Sequence, residues 1–441
     1  MPRTRTAPIL NPALAGLLAA TGRPYACIAT RINRVAAENG ITLSCTAATL
    51  SKWVSGQTPL PGTRLAVVEA LRRLLDRPGL TACDLGWEGT LTKAYHDDPW
   101  QGDPLSWIAR LSRDDMLDRR TALYTLAAAT LPATIPTIPS RPGPARRAGA
   151  AEVEQIRQTT SLFGDLDDRF GGGHARAAAA AYLSHEVAPL LQGTTGRQRP
   201  ELFSAAASLA CLLGWMAADD LKTGLSQRYY IQAAKLAQEA GNPIIGSGVF
   251  RSLAVQAIEL GHRKQAAELA EAAHAGLRAG APARTRAWVV GMCAETAAAV
   301  DRRRAVRLLS AAETDLERAD SIPDMQITGN YRRESFEHQT GLMLTQMGDH
   351  AGAEKHYVLS VAARRPVERR TRALIIARVA TAQMRQHRPQ DAARTILNAS
   401  GDLSGISSAR VHRHFAVLRA GWQRYRAVPD VAAADQLLTT L

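Results

Sequence analysis

Between Thr46 and Gly56 the chain reads Thr-Ala-Ala-Thr-Leu-Ser-Lys-Trp-Val-Ser-Gly, and helical spacing sorts these side chains into two sets. Leu50, Trp53 and Val54 share one face and would anchor the segment to a core. Thr46, Ala48, Thr49, Ser51 and Lys52 project elsewhere. Methyls, hydroxyls and one cation on an exposed helix suit groove recognition better than bond breaking. Alanine and threonine match thymine methyl groups, and lysine matches guanine acceptors or phosphate. Arg31, Arg34, Gln57 and Arg64 flank this segment and are the expected phosphate contacts.

A second set lies much later in the chain. Arg251, Gln256, Trp288, Glu295, Asn330 and Tyr331 interrupt helices otherwise dense in alanine. If they line inner helices they can bind an effector: arginine and asparagine hold the backbone and carboxylate of an extended peptide, and the aromatics supply apolar contact.

Signatures of turnover are missing. Gly171-Gly172-Gly173-His174 lacks the Lys-Ser/Thr of a phosphate loop and reads as a structural turn. His412 and His414 have no cysteine or carboxylate at a metal-binding spacing. HExxH, GxSxG and kinase patterns do not occur. Asp165, Asp167 and Asp168 read as a solvated helix end. No catalytic residue, metal or cofactor is expected, and the chain is not expected to be an enzyme.

Composition narrows the setting. The chain has 441 residues, 46% of them hydrophobic, enough for two or three domains with real cores. Five scattered cysteines without a CxxC pair suggest reduced, mostly buried thiols and a cytoplasmic protein, nucleoid-associated through the DNA contacts expected above. The apolar run near the N-terminus is broken by Pro12 and continues as an amphipathic helix. Asp118–Leu131 imitates an export signal but is internal and too short to span, so it reads as a short buried helix. Of the net charge of +14, half sits in residues 1–80, where ten Lys and Arg face three Asp and Glu. Such an excess displaces counterions from phosphates.

Positioning these residues requires helices throughout. Strand patterns are absent, and apolar residues recur at three-to-four spacing from end to end. Asn11 and Pro12 form an N-cap and N1 pair for a helix through Ala20. Pro24 opens a second helix to about Asn39, closed by Gly40. Thr46 caps a third, Ala47–Ser55, ended by Gly56, and a fourth runs over about Thr63–Arg77. The connection from Glu38 to Cys45 is longer than the usual turn of a helix-turn-helix. Five prolines in Leu131–Gly149 favour an extended spacer. Beyond it, a small-x-x-x-Tyr/Leu pattern begins at Ser226, Ala266, Ala305, Ala353 and Ala392, at intervals of 39 to 48 residues. Each unit reads as helix, tight turn, helix. The fold class is therefore all-α: a helix-turn-helix domain in 1–85, a helical connector with a proline-rich linker in 86–149, and a right-handed tetratricopeptide-like helical solenoid in 150–441.

The segment Thr46–Gly56 resembles the recognition helix of the lambda-repressor-like (XRE-type) helix-turn-helix family. The runs RINRVAAENGITL, LSKWVSGQTP, LDDRFGGGHARAAAAAYLSHEVAPLLQG and LGWMAADDLKTGLSQRYYIQAAKLAQEAGN together resemble actinobacterial transcriptional regulators that join this module to tetratricopeptide repeats. Peptide-responsive quorum-sensing regulators share the architecture more distantly. The resemblance implies double-stranded DNA as partner and a peptide or small-molecule effector on the concave repeat surface. A homodimer would place two recognition helices on an inverted-repeat operator, with no membrane partner. A repeat scaffold for protein partners, with a nonspecific DNA-anchoring head, stays open as the alternative.

Overall fold

A computed structural model describes residues 9–38, 42–77, 80–87, 103–105, 107–108, 111, 147–278, 280–319 and 331–440. The described residues are helical, with no strand among them. The chain divides into two compact units, the first within residues 1–101 together with 222–224, and the second formed by the remainder. Most of the proline-rich run, the Asp118–Leu131 segment and Asn330 fall outside the described residues.

The head contains α1 (Pro12–Ala20), α2 (Tyr25–Glu38), α3 (Ala47–Val54) and α4 (Pro61–Leu75). Local caps set these boundaries. Asn11 accepts the Leu14 amide at 2.9 Å, and its amide nitrogen also donates to the Leu85 carbonyl at 2.8 Å, tying α1 to the end of the unit. Helix α4 starts at Pro61, two residues before the expected Thr63, because a proline at N1 forfeits no helical hydrogen bond. Leu14, Ile28, Ile32, Leu50, Leu71 and their neighbours close one core, in which Trp53 meets Trp87 edge to face at 6.3 Å.

The body opens with α5 (Ala150–Phe170) and α6 (Gly172–Tyr182). After a π-helical turn at Leu183–Val187 come α7 (Ala188–Gly193) and α8 (Arg199–Asp219). Helix α8 pairs with α9 (Thr223–Glu239), and further pairs follow: α10 (Pro243–Glu259) with α11 (Arg263–Ala275), α12 (Ala283–Ala297) with α13 (Arg302–Glu317), α14 (Arg333–Met347) with α15 (His350–Ala363), and α16 (Arg369–Arg385) with α17 (Pro389–Asn398). The short α18 (Ser400–Leu403), α19 (Ala409–Trp422) and α20 (Pro429–Thr440) complete the array. Ser226, Ala266, Ala305, Ala353 and Ala392, the residues that mark the repeat, are all 0% exposed and sit on the second helix of each pair. In two pairs a glycine on the first helix receives a tyrosine from the second: a Cβ at Gly214 or Gly341 would lie 2.5 Å from the ring of Tyr230 or Tyr357. Gly261 and Gly348 form the intervening turns at φ 83° and 80°, which favour glycine. The segment Gly196–Asp219 is apolar and long enough to cross a membrane by composition, but 72% of its apolar window is buried within the fold. Trp107, Ile108 and Leu111 are also buried in the core of the body.

Repeat arrays ordinarily contact only their sequence neighbours. Here the end of the array also meets its beginning. Arg370 at the start of α16 lies 3.0 Å from both Asp167 and Asp168 on α5, and its Nε donates to the Asp167 carbonyl at 3.1 Å. The Ser407 amide donates to the Phe170 carbonyl at 2.6 Å, and Arg410 on α19 pairs with Glu259 on α10. The body therefore closes on itself. This corrects the reading of the acidic cluster as a solvated helix end for two of its three members: Asp167 is 6% exposed and Asp168 half-buried, both paired with Arg370, while Asp165 is exposed. The glycine run is a structural turn, as expected. The Gly172 amide is taken by Asp219 at 2.9 Å, and a Cβ at Gly171 would lie 2.4 Å from the Ser407 carbonyl oxygen, leaving no room for a bound anion.

Candidate functional site

Two sites emerge, one in each unit. In the head, Leu50, Trp53 and Val54 are buried and fix α3 by one face. Thr46, Ala48, Ser51, Lys52 and Gln57 are exposed, Thr49 is half-buried, and Arg34 on α2 is exposed. Lys52 and Arg34 have no ion-pair partner among the described residues. Thr46 and Thr49 form a reciprocal capping box: the Thr49 amide donates to the Thr46 hydroxyl at 3.3 Å, and the Thr46 amide to the Thr49 hydroxyl at 3.2 Å. Their hydroxyls are thereby committed to the helix terminus. Arg64 is half-buried and its Nε donates to the Pro59 carbonyl at 2.8 Å, bracing the turn between α3 and α4. Arg31 is also half-buried.

One positioning residue escaped the sequence reading. Asn33 clamps α2 to the entry of α3, donating to the Cys45 carbonyl at 2.8 Å and accepting the Cys45 amide at 2.7 Å. A polar residue at a half-buried position of an amphipathic helix was the available signal. Arg72 and Arg73 are held by Glu69 at 3.7 and 2.7 Å, which withdraws them from the free cationic surface.

In the body, the array lines a half-open cavity of about 1570 Å³. Four of the six proposed effector residues, Arg251, Trp288, Glu295 and Tyr331, line it together. The fifth, Gln256, is buried but is not part of the lining, because at five residues from Arg251 it falls off the face that carries Arg251, Val255 and Ile258. Arg251 stacks over the Trp288 ring at 4.4 Å and donates to the Trp288 carbonyl at 3.0 Å and to Gln339 Oε1 at 3.0 Å. Gln339 Nε2 in turn donates to Glu295. Gln339, His338, Arg378, Arg410 and His414 also line this space and were not foreseen.

Burial governs the ionisation here. It pushes the Glu295 carboxyl up to about 7, against the attraction of Arg251 and Arg378. It holds Arg251 and Arg378 below the usual guanidinium range. His338 is pushed well down by burial and then by Arg378, whose Nη1 donates to the imidazole Nε2. His414 falls to about 2 by burial with Arg378 and Arg410 nearby. Both histidines are thus neutral near pH 7.

A pH dependence follows with a definite sign. The folded state holds the Glu295 proton up to about pH 7, whereas the unfolded chain loses it near the ordinary carboxyl value of about 4.5. The stability that protonation contributes is present at low pH and is lost as pH rises through about 7. The histidines act in the opposite sense, losing stability as pH falls through the unfolded value of 6.5. Glu295→Gln removes only the first contribution. Its melting temperature relative to the parent chain is expected to rise by several degrees between pH 5 and 8, measured by scanning calorimetry. A difference that is constant with pH contradicts the assignment.

Among the described residues no group of His, Cys, Asp and Glu is arranged to hold a metal. All five cysteines are free, with Cys27 and Cys83 exposed and Cys45, Cys211 and Cys293 buried. Residues 14–88 match the family model of the SP15 N-terminal domain. That stretch coincides with the head's core, which runs from Leu14 to Trp87. No curated protein matches the chain.

Proposed function

We propose that the protein is a sequence-specific DNA-binding transcriptional regulator whose repeat body binds an effector and thereby controls DNA binding. The observation that carries this reading is α3: a capped helix anchored by Leu50, Trp53 and Val54, presenting Ala48, Ser51 and Lys52 on an exposed face in a unit with a basic excess. A helix so anchored can enter a major groove without losing its own core. Arg34 and Arg31, on the neighbouring α2, supply charge for the flanking phosphates. The reading is of a cytoplasmic regulator rather than an enzyme. It acts as a homodimer on an inverted repeat. Effector control requires that the effector bind the DNA-competent and incompetent states with different affinity.

The phosphate contacts are tested by fluorescence anisotropy of the full-length chain on a mixed-sequence duplex across a series of salt concentrations. Affinity should fall linearly in a log–log plot, with a slope of about −0.9 per phosphate contacted. Arg31→Ala and Arg34→Ala should each reduce the magnitude of that slope by about one. Binding with a slope unaltered in both variants places the contacts elsewhere on the chain.

A further inference from the structure

The cavity of the body has a charge pattern that is incomplete by itself. Arg378 lies on α16 and lines the cavity, where it donates to the neutral imidazole of His338 and no carboxylate lies within ion-pair distance among the described residues. Arg410, 6% exposed, pairs with Glu259, but its Nε is buried without a partner. The Tyr331 hydroxyl, on a side chain 4% exposed, is likewise unpartnered. Burial, with Arg410 near enough to repel it, holds Arg378 below the usual guanidinium range, and a guanidinium drawn out of water without an anion is disfavoured. Beside them the wall is apolar, formed by Val255, Ile258, Leu342, Leu374 and the face of Trp288. The volume exceeds the 300–1,000 Å³ range of small-molecule pockets, giving room for an extended ligand.

We propose that this cavity is a receptor site for an amphipathic anion, a ligand with a carboxylate or phosphate group received by Arg378 beside Arg410 and an apolar portion lying against Leu342, Leu374 and Trp288. Carboxylate and phosphate oxygens match the donor fork of a guanidinium, and Arg410 places a second cation on the same lining. The neutral histidines suit this role: they add hydrogen-bonding groups without adding further repulsion to the empty site. Glu295 also lines the cavity, near enough to feel the attraction of Arg378, and accepts a hydrogen bond from Gln339. The inference deepens the effector reading but does not depend on the head, because its test contains no DNA.

The test uses matched probes on the full-length chain by isothermal titration calorimetry: octanoate, octyl phosphate and octan-1-ol, which share a tail and differ in the head. Saturable binding of at least one anion is expected, at least ten times tighter than that of the alcohol. Arg378→Gln should lose that preference by about tenfold, and Arg378→Lys should keep most of it. Tighter octanoate identifies a carboxylate ligand, and tighter octyl phosphate a phosphate one. In the unmodified chain, inorganic phosphate should compete with whichever anion binds, a readout that needs no variant to fold. Equal affinity for the alcohol, no binding of either anion, absence of competition, or a folded Arg378→Gln with unchanged preference would each overturn the proposal.

Discussion

Replacing Arg370 by alanine is expected to lower the melting temperature of the chain by on the order of 10 °C. Arg370, its side chain 13% exposed, sits among three aspartates, at 3.0 Å from Asp167 and Asp168 and 3.7 Å from Asp219. Asp167 and Asp219 are 6% and 2% exposed, so deleting the arginine leaves them without a counter-charge and without water. Removing one partner of a buried ion pair typically costs about 3–5 kcal/mol. Burial, with Asp219 and Asp168 close by, already pushes the Asp167 carboxyl up to about 7 despite the attraction of Arg370. The loss should therefore be smaller at pH 5.5, where Asp167 can take a proton, than at pH 8. Adding Asp167→Asn to the alanine variant should recover part of it. A melting temperature within a degree or two of the parent at pH 8 would show that the ends of the array are not held together through this cluster.

Gly172→Ala should be comparably severe for a steric reason. A Cβ there would lie 2.4 Å from the Met216 carbonyl oxygen and 2.7 Å from its Cα, so the obstacle is backbone and cannot rotate away. Helices α6 and α8 would have to separate, and the bond from the Gly172 amide to Asp219 would stretch with them. Overpacking of this kind costs about 1–3 kcal/mol and more where the neighbour is rigid. Gly246 on α10 is the internal control. Nothing lies within 4 Å of its Cβ position, and alanine there should stabilise by up to about 1 kcal/mol through helix propensity. Chemical denaturation of both variants decides the matter, since equal effects of the two substitutions would contradict the close approach of α6 and α8.

These examples also mark what the sequence could and could not tell. Helix starts in the head were legible because their causes are local: Asn11 and Thr46 accept amides three residues on, whatever surrounds them. The repeat register was legible because a close helix crossing admits only small residues, which left Ala266, Ala305, Ala353 and Ala392 at regular intervals. Closure of the array was not legible, because Arg370 and Asp167 stand 203 positions apart and nothing local to either announces the other. The same reason divides the cavity residues. Arg251, Trp288, Glu295 and Tyr331 could be singled out as polar or aromatic interruptions of alanine-rich helices. Arg378 and Arg410 sit in arginine-rich segments, where an inward guanidinium cannot be told from a solvated one until the inner face is known.

The most direct measurement is selection from a random-sequence duplex library by the purified full-length chain at about 0.15 M salt, where nonspecific electrostatic binding has weakened. A specific regulator with α3 in the major groove should enrich an inverted repeat whose half-site centres lie about one helical turn, or a multiple of it, apart. Lys52→Ala should relax the preference at one position of each half-site. Retained duplexes with no enriched sequence would contradict sequence-specific recognition and leave the head as a nonspecific anchor for a repeat scaffold.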